Sequence, residues 1–222
     1  MGTPGHSTLL TPPGVYAPQD DTELLLRALA RERVDPSTQV LDLGTGSGAL
    51  ALRAAGLGAR VTAVDIAWRA VLTTRLNALI ARRRVTVRRG DLTAAVRGRT
   101  YDLVISNPPY VPSPGGRPPR HSPARAWDAG PDGRAFVDRV CDEAPRALRS
   151  GGVLLLVHSA LCGTPATLRR LADAGFDASV TDRAVIPFGP VLSTRRGWLR
   201  HQGLLTRDDN REELVVIRAQ HA

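Results

Sequence analysis

Asn107, Pro108, Pro109 and Tyr110 are the residues of this 222-residue chain best placed to do chemistry. They directly follow the strand-like run Tyr101-Asp102-Leu103-Val104-Ile105-Ser106. Neither proline carries an N–H, so the pair cannot continue a sheet ladder. Asn107 and Pro108 each precede a proline and are pushed towards extended or polyproline backbone. The Asn107 side chain and the Pro108 carbonyl can then project into a pocket, where both offer acceptors suited to a planar –NH2 group. Tyr110 supplies a flat surface for that group to stack on. Such a corner would present an amide or aromatic amine to an electrophile. Alone, a proline-rich turn usually does no more than close a strand.

A nucleotide-binding pattern lies upstream. Val40-Leu41-Asp42-Leu43 runs into Gly44-Thr45-Gly46-Ser47-Gly48 and then an alanine/leucine stretch, the opening of a Rossmann-like unit. Glycines at 44, 46 and 48 permit positive φ and a close backbone approach. A helix starting near Ser47 would aim its free N–H groups at the bend. The spacing is G-x-G-x-G, unlike the dinucleotide fingerprint. Asp42 also puts a carboxylate where a pyrophosphate would be repelled. S-adenosylmethionine, with its sulfonium and ammonium groups, suits this loop better than NAD.

Two further acids end the next two strands. Arg60–Asp65 reads as the second strand, and Asp65 follows Asp42 at about the spacing at which an acid reaches ribose hydroxyls. Val85–Leu92 reads as the third, with Asp91 at its end, which could accept from an adenine amine with Leu92 beside the ring. A single aspartate here is usually a helix N-cap. Three at successive strand ends, where ligands of open α/β sheets bind, favour a site.

The combination of Asp42–Gly48, Asp65, Asp91 and Asn107–Tyr110 resembles the HemK/PrmC-type S-adenosylmethionine-dependent methyltransferases. Val15–Glu23 is similar to their proline-acid-threonine entry, and Ala126–Arg134 to their glycine-rich segment. The resemblance implies methylation of a glutamine side-chain amide (N5) in a peptide-chain release factor. It implies Asn107, Pro108 and Tyr110 as the catalytic corner. For the cofactor it implies Thr22 and Asp42 at the methionine end, then Gly44, Thr45, Gly46 and Gly48 in the loop. Asp65 would hold the ribose, Asp91 and Leu92 the adenine, and Asn107 would border both. With only about 40 residues before the glycine loop, the helical N-terminal domain of the bacterial enzymes is not expected. The chain is closer to short archaeal and eukaryotic relatives that work with a small zinc-binding activator subunit.

Hydrophobic periodicity places helices at 20–33, 47–57, 67–82, 133–148 and 164–174. It places strands at 39–43, 60–64, 84–89, 101–106, 152–158, 178–187 and 213–219. The alternation predicts one α/β domain over residues 1–222, with residues 1–14 a flexible segment. Its class I methyltransferase sheet would be seven-stranded, mostly parallel, with an antiparallel edge strand. Val111 to Arg125 is expected to be a substrate-contacting loop. Pro190 to Arg211 should hold a short amphipathic helix that covers one side of the cleft or the sheet edge.

Composition sets the remaining bounds. All 30 basic residues are arginine, which points first to genome composition. The net charge of +9 still favours RNA-bound or acidic-protein partners over neutral membranes. Arg82, Arg83, Arg84, Arg88 and Arg89 read as a solvated helix end before a phosphate-contacting patch. Cys141 and Cys162 lack the paired spacing of a zinc site, so no metal is expected. Without a leader or a membrane-length apolar run, the expected compartment is the cytoplasm. His158 is expected to be structural.

Other acceptors fit the same corner. They are a lysine or another protein side-chain nitrogen, the N6 amine of adenine in RNA or DNA, and a small-molecule amide or amine. A silent S-adenosylmethionine-binding module is the non-enzymatic alternative. Three Trp, three Tyr and three Phe are a sparse supply for base stacking.

Overall fold

The computed structural model describes residues 9–115 and 123–221. Val40, Leu41 and Leu43 are fully buried in Gln39–Leu43 (β1), as a central parallel strand covered on both faces requires. β1 pairs in parallel with Arg60–Asp65 (β2) on one side and Tyr101–Ser106 (β4) on the other. β2 carries Val85–Arg89 (β3) at the sheet edge, and β4 carries Leu148–Ser159 (β5), both parallel. Arg211–His221 (β7) runs antiparallel between β5 and Phe176–Pro187 (β6). The order is β3-β2-β1-β4-β5-β7-β6, a seven-stranded class I methyltransferase sheet. The reversed strand is β7, and β6 is outermost.

Asp20–Leu29 (α1), Ala49–Gly56 (α2) and Trp68–Ile80 (α3) cover one face. Leu24, Leu25 and Leu29 of α1 are buried there, each contributing about 2 kcal/mol. Val137–Ala147 (α4) and Thr164–Asp173 (α5) cover the other face, where Cys141 packs as an apolar residue. Pro190–His201 (α6) packs outside both layers, in a small cluster of its own.

Several boundaries differ from expectation, for local reasons. α2 begins at Ala49 because Gly48 takes φ +88, and a Cβ there would lie 2.8 Å from Thr74 Cγ2. α4 begins at Val137 because Gly133, at φ +72, passes against Tyr110, whose carbonyl oxygen would lie 2.4 Å from a Cβ. α1 stops at Leu29, and β5, β6 and β7 each start before their expected positions. Residues 1–8 of the segment expected to be flexible lie outside the described residues. Leu10 is tied down: its N–H donates to Asn77 Oδ1 at 2.9 Å and its carbonyl accepts from Asn77 Nδ2 at 3.0 Å. Asn77 is buried and needs those partners. Among the described residues, no helix is long and apolar enough to cross a membrane.

Candidate active site

A cleft of about 530 Å³ opens where β1, β2, β3 and β4 end, within the on-the-order-of 300–1,000 Å³ typical of small-molecule sites. Gly44 N–H and Thr45 N–H both donate to Val64 O, at 2.9 and 3.0 Å, and fold the glycine loop over β2. Gly46 N–H donates to Asp65 Oδ2 at 3.0 Å, and Thr74 Oγ1 donates to Gly46 O at 3.0 Å. Gly44, Thr45 and Gly46 line the cleft. A Cβ on Gly44, which has φ +76, would meet nothing within 4 Å, so its backbone stands open to a ligand.

Asp42 is elsewhere than expected. It shares its strand face with Val40, towards α2, and is fully buried off the cleft wall. Its Oδ2 accepts from Thr45 Oγ1 at 2.6 Å and from Ala51 N–H at 3.1 Å, so it anchors the loop and the first turn of α2 from beneath. Burial pushes its carboxyl up to about 7, against the lowering effect of those two bonds. Gly48 is likewise off the wall, packed on Thr74.

Asp65 and Asp91 both line the cleft. Asp65 Oδ1 also accepts from Ala67 N–H at 2.8 Å. Asp91 Oδ1 lies 3.0 Å from Arg139 Nη2, which orients the carboxylate from outside. Leu92, beside it, holds φ +44, a left-handed conformation costly for a branched side chain. Its side chain and that of Ile66 give the cleft apolar wall next to the two acids. An open glycine backbone, ringed by carboxylates and apolar surface, fits S-adenosylmethionine.

Asn107, Pro108 and Tyr110 form the opposite wall. Thr22 lines the cleft too, but it is bonded to the motif. Asn107 Nδ2 donates to Thr22 Oγ1 at 3.3 Å, leaving Asn107 Oδ1 as the acceptor on offer. Tyr110 OH donates to Asp21 Oδ2 at 2.9 Å. Burial, with the charges of Asp21 and Glu212 nearby, holds its phenol well above the ordinary range.

The segment after the motif is braced from three sides. Val111 N–H donates to Trp127 O at 2.8 Å and Val111 O accepts from Ala129 N–H at 3.0 Å, so Ala126–Arg134 pairs with the motif instead of hanging free. Cys162 Sγ donates to Tyr110 O at 3.1 Å. Arg195 of α6 donates to Pro112 O at 3.0 Å and pairs with Asp128 at 2.6 Å. Expected as a cover for the cleft or the edge, α6 instead buttresses this loop through Leu192 and Leu199, against Val111. Of the loop expected from Val111 to Arg125, residues 116–122 lie outside the described residues. His158 is buried off the cleft wall, bonded by Nδ1 to Ser159 O at 2.8 Å, and burial lowers its pKa to about 4.

Tyr16, Asp21, Ile66, Trp68, Trp127 and Phe136 also line the cleft and were not singled out by sequence. Tyr16, Asp21 and Trp127 sit inside stretches that were, so adjacency was the available signal. Trp68 carried none.

Residues 6–115 match the methyltransferase small domain family. A provisionally named protein N5-glutamine methyltransferase of Methanocaldococcus jannaschii is 33% identical, over 81% of this chain and 90% of its own. The release factor glutamine methyltransferase of Moorella thermoacetica is 41% identical, over 65% of this chain and 54% of its own, so the chain spans little more than half that enzyme's length. Among solved structures, the E. cuniculi Mtq2–Trm112 complex, which methylates the termination factor eRF1, matches with a TM-score of 0.66 at 24% identity. That match covers 94% of this chain and 99% of the other. The T. thermophilus 16S rRNA N2 G1207 methyltransferase matches at 0.60 and 23%, over 93% of this chain and 44% of its own. On strand order, cleft and sequence together, the chain belongs to the protein N5-glutamine methyltransferase family of S-adenosylmethionine-dependent enzymes.

Proposed function

We propose that this chain methylates the side-chain amide nitrogen of a glutamine in a protein, a peptide-chain release factor. The observation that carries the reading is the Asn107–Thr22 hydrogen bond. It uses one N–H of the Asn107 amide and so turns Oδ1 the other way, to accept an N–H on the cleft wall beside Pro108 and Tyr110. When bound, S-adenosylmethionine supplies an electrophilic methyl group. Gly44, Gly46, Asp65, Asp91 and Leu92 would hold it, with Ile66 on the apolar side. An amide nitrogen is a poor nucleophile because its lone pair is delocalised. Asn107 Oδ1 and the Pro108 carbonyl, each accepting one N–H, turn that lone pair towards the methyl group. Such alignment contributes on the order of several kcal/mol. The same acceptors strengthen as the nitrogen becomes positive.

A planar nucleobase amine is the second reading, because five of the nine aromatic residues (Tyr16, Trp68, Tyr110, Trp127 and Phe136) line the cleft. Labelled S-adenosylmethionine added to lysate and sorted into protein, nucleic-acid and small-molecule fractions separates the two. Label in protein supports the glutamine reading; label confined to RNA or DNA replaces it.

We further propose a small partner subunit with an acidic rim for this chain; the E. cuniculi Mtq2 was solved in complex with Trm112. Trp68, Leu72, Leu76, Leu79 and Ile80 run along one side of α3 at helical spacing with exposures of 47–75%. β3 beside them is the sheet edge, and Arg82, Arg83, Arg84 and Arg89 border it in the open. A strand-bearing partner with an acidic rim complements that surface. Leu76→Asp with Leu79→Asp should abolish co-purification with a co-expressed candidate subunit. Unchanged co-purification would move the interface elsewhere.

A further inference from the structure

Asp21 sits in the first turn of α1, 2% exposed, and its carboxylate is fully engaged by neutral donors. Oδ2 accepts from Tyr16 OH at 2.7 Å and from Tyr110 OH at 2.9 Å. Oδ1 accepts from Thr22 N–H at 2.5 Å and from Thr22 Oγ1 at 3.2 Å. The same Thr22 hydroxyl receives the Asn107 amide at 3.3 Å. One carboxylate thus reaches Tyr110 directly and Asn107 through one intermediary, gripping both ends of the Asn-Pro-Pro-Tyr corner.

We infer that Asp21 is a positioning residue of methyl transfer: it fixes the acceptor face of Asn107 and holds Tyr110 as a neutral hydrogen-bond donor. A Thr22 hydroxyl that donates to Asp21 must present a lone pair to Asn107, and only the amide's Nδ2 can donate to it. The chain of donors therefore has one direction, and it ends with Asn107 Oδ1 turned to the substrate. Without the carboxylate, the Thr22 hydroxyl can reverse, the Asn107 amide can flip, and an N–H would face the incoming –NH2 group. At Tyr110, donation to an anion makes the phenol ring richer in electrons, a better surface for a nitrogen that becomes positive. Glu212 on β7 reinforces this. It is a second buried carboxylate, its Oε1 has no hydrogen-bond partner among the described residues, and its charge opposes ionisation of Tyr110 and Tyr16.

The test has two arms. Tyr16 and Tyr110 are two of only three tyrosines, so phenolate absorbance reports the clamp without any substrate. Asp21→Asn should move two of the three phenols to lower pH; a titration identical to the parent enzyme overturns the clamp. The kinetic arm rests on the proposed methylation of a release-factor glutamine. There, Asp21→Asn should lower kcat about 30-fold or more, while S-adenosylmethionine Kd by calorimetry stays within about threefold. Tyr110→Phe should lower kcat about tenfold, and the double variant should be no slower than the slower single one. Multiplying losses, or loss of cofactor affinity in step with kcat, would make Asp21 a mere helix-capping residue. Should Asp21→Asn fail to fold, Tyr110→Phe carries the decision, and an unchanged kcat overturns the inference. If the parent enzyme leaves release factor unlabelled, the substrate reading fails and the phenol titration still judges the clamp.

Discussion

Asp42→Asn separates a cofactor ligand from a loop anchor. Burial holds the Asp42 carboxyl at about 7 against an ordinary 3.8, and at about 1.36 kcal/mol per pH unit this is on the order of 4 kcal/mol. Below pH 3.8 the group is protonated in both states and costs nothing. As pH rises from 3.8 to about 7 the unfolded chain releases the proton while the folded chain keeps it, so stability falls. Above about 7 the cost is constant and at its largest. Asparagine carries no charge and can keep both bonds of Oδ2. Its amide nitrogen then sits where Oδ1 has no partner among the described residues, an unpaired donor costing about 1–3 kcal/mol. The variant should therefore gain about 1–3 kcal/mol at pH 8 and lose about 1–3 kcal/mol at pH 4, where only the unpaired donor counts. Urea unfolding of both proteins at several pH values reads this difference directly. Taking the difference removes other titrating groups, such as Glu212, which burial pushes up to about 7. Cofactor affinity should stay within a few-fold. A variant that is less stable at pH 8, or that binds S-adenosylmethionine tens of times more weakly, would refute the reasoning and restore Asp42 to the cleft wall.

Asn107→Ala should leave cofactor affinity nearly intact in calorimetry and lower methyl transfer at least about 100-fold, the share expected of alignment plus charge stabilisation. Asp65→Ala should weaken S-adenosylmethionine binding about 10–100-fold, because a carboxylate bond to a neutral donor contributes about 1.5–3 kcal/mol. Some of that loss will come from the freed Gly46 and Ala67 N–H groups. Gly48→Ala should cost about 2–4 kcal/mol in denaturant unfolding, since it combines a left-handed backbone with a Cβ 2.8 Å from Thr74 Cγ2.

The residues legible in the sequence were those whose chemistry is local. Two prolines after an apolar strand end pairing wherever they occur, and three glycines after β1 force a bend, so Asn107 and Gly44 fell where expected. Strand alternation could have assigned Asp42 to the α2 face with Val40; type and spacing alone suggested the cofactor instead. Thr22 lines the cleft, but its partners lie 1 and 85 positions away in sequence, and only the fold joins them. The same holds for Trp68 and Phe136, which no motif connects to the glycine loop. α6 was legible as an amphipathic helix. Its place behind the motif depends on Arg195 meeting Asp128 and Pro112, a contact set by the return of β7 between β5 and β6.

The central claim is that this cleft delivers a methyl group to a side-chain amide nitrogen held by Asn107 and Pro108. The most direct measurement incubates purified enzyme, labelled S-adenosylmethionine and recombinant release factor, then maps the label by peptide mass spectrometry. One added methyl on a glutamine side-chain nitrogen, absent with Asn107→Ala, is the expected result. Label on an adenine amine in added RNA, or release factor unlabelled by an enzyme that binds the cofactor, would contradict it.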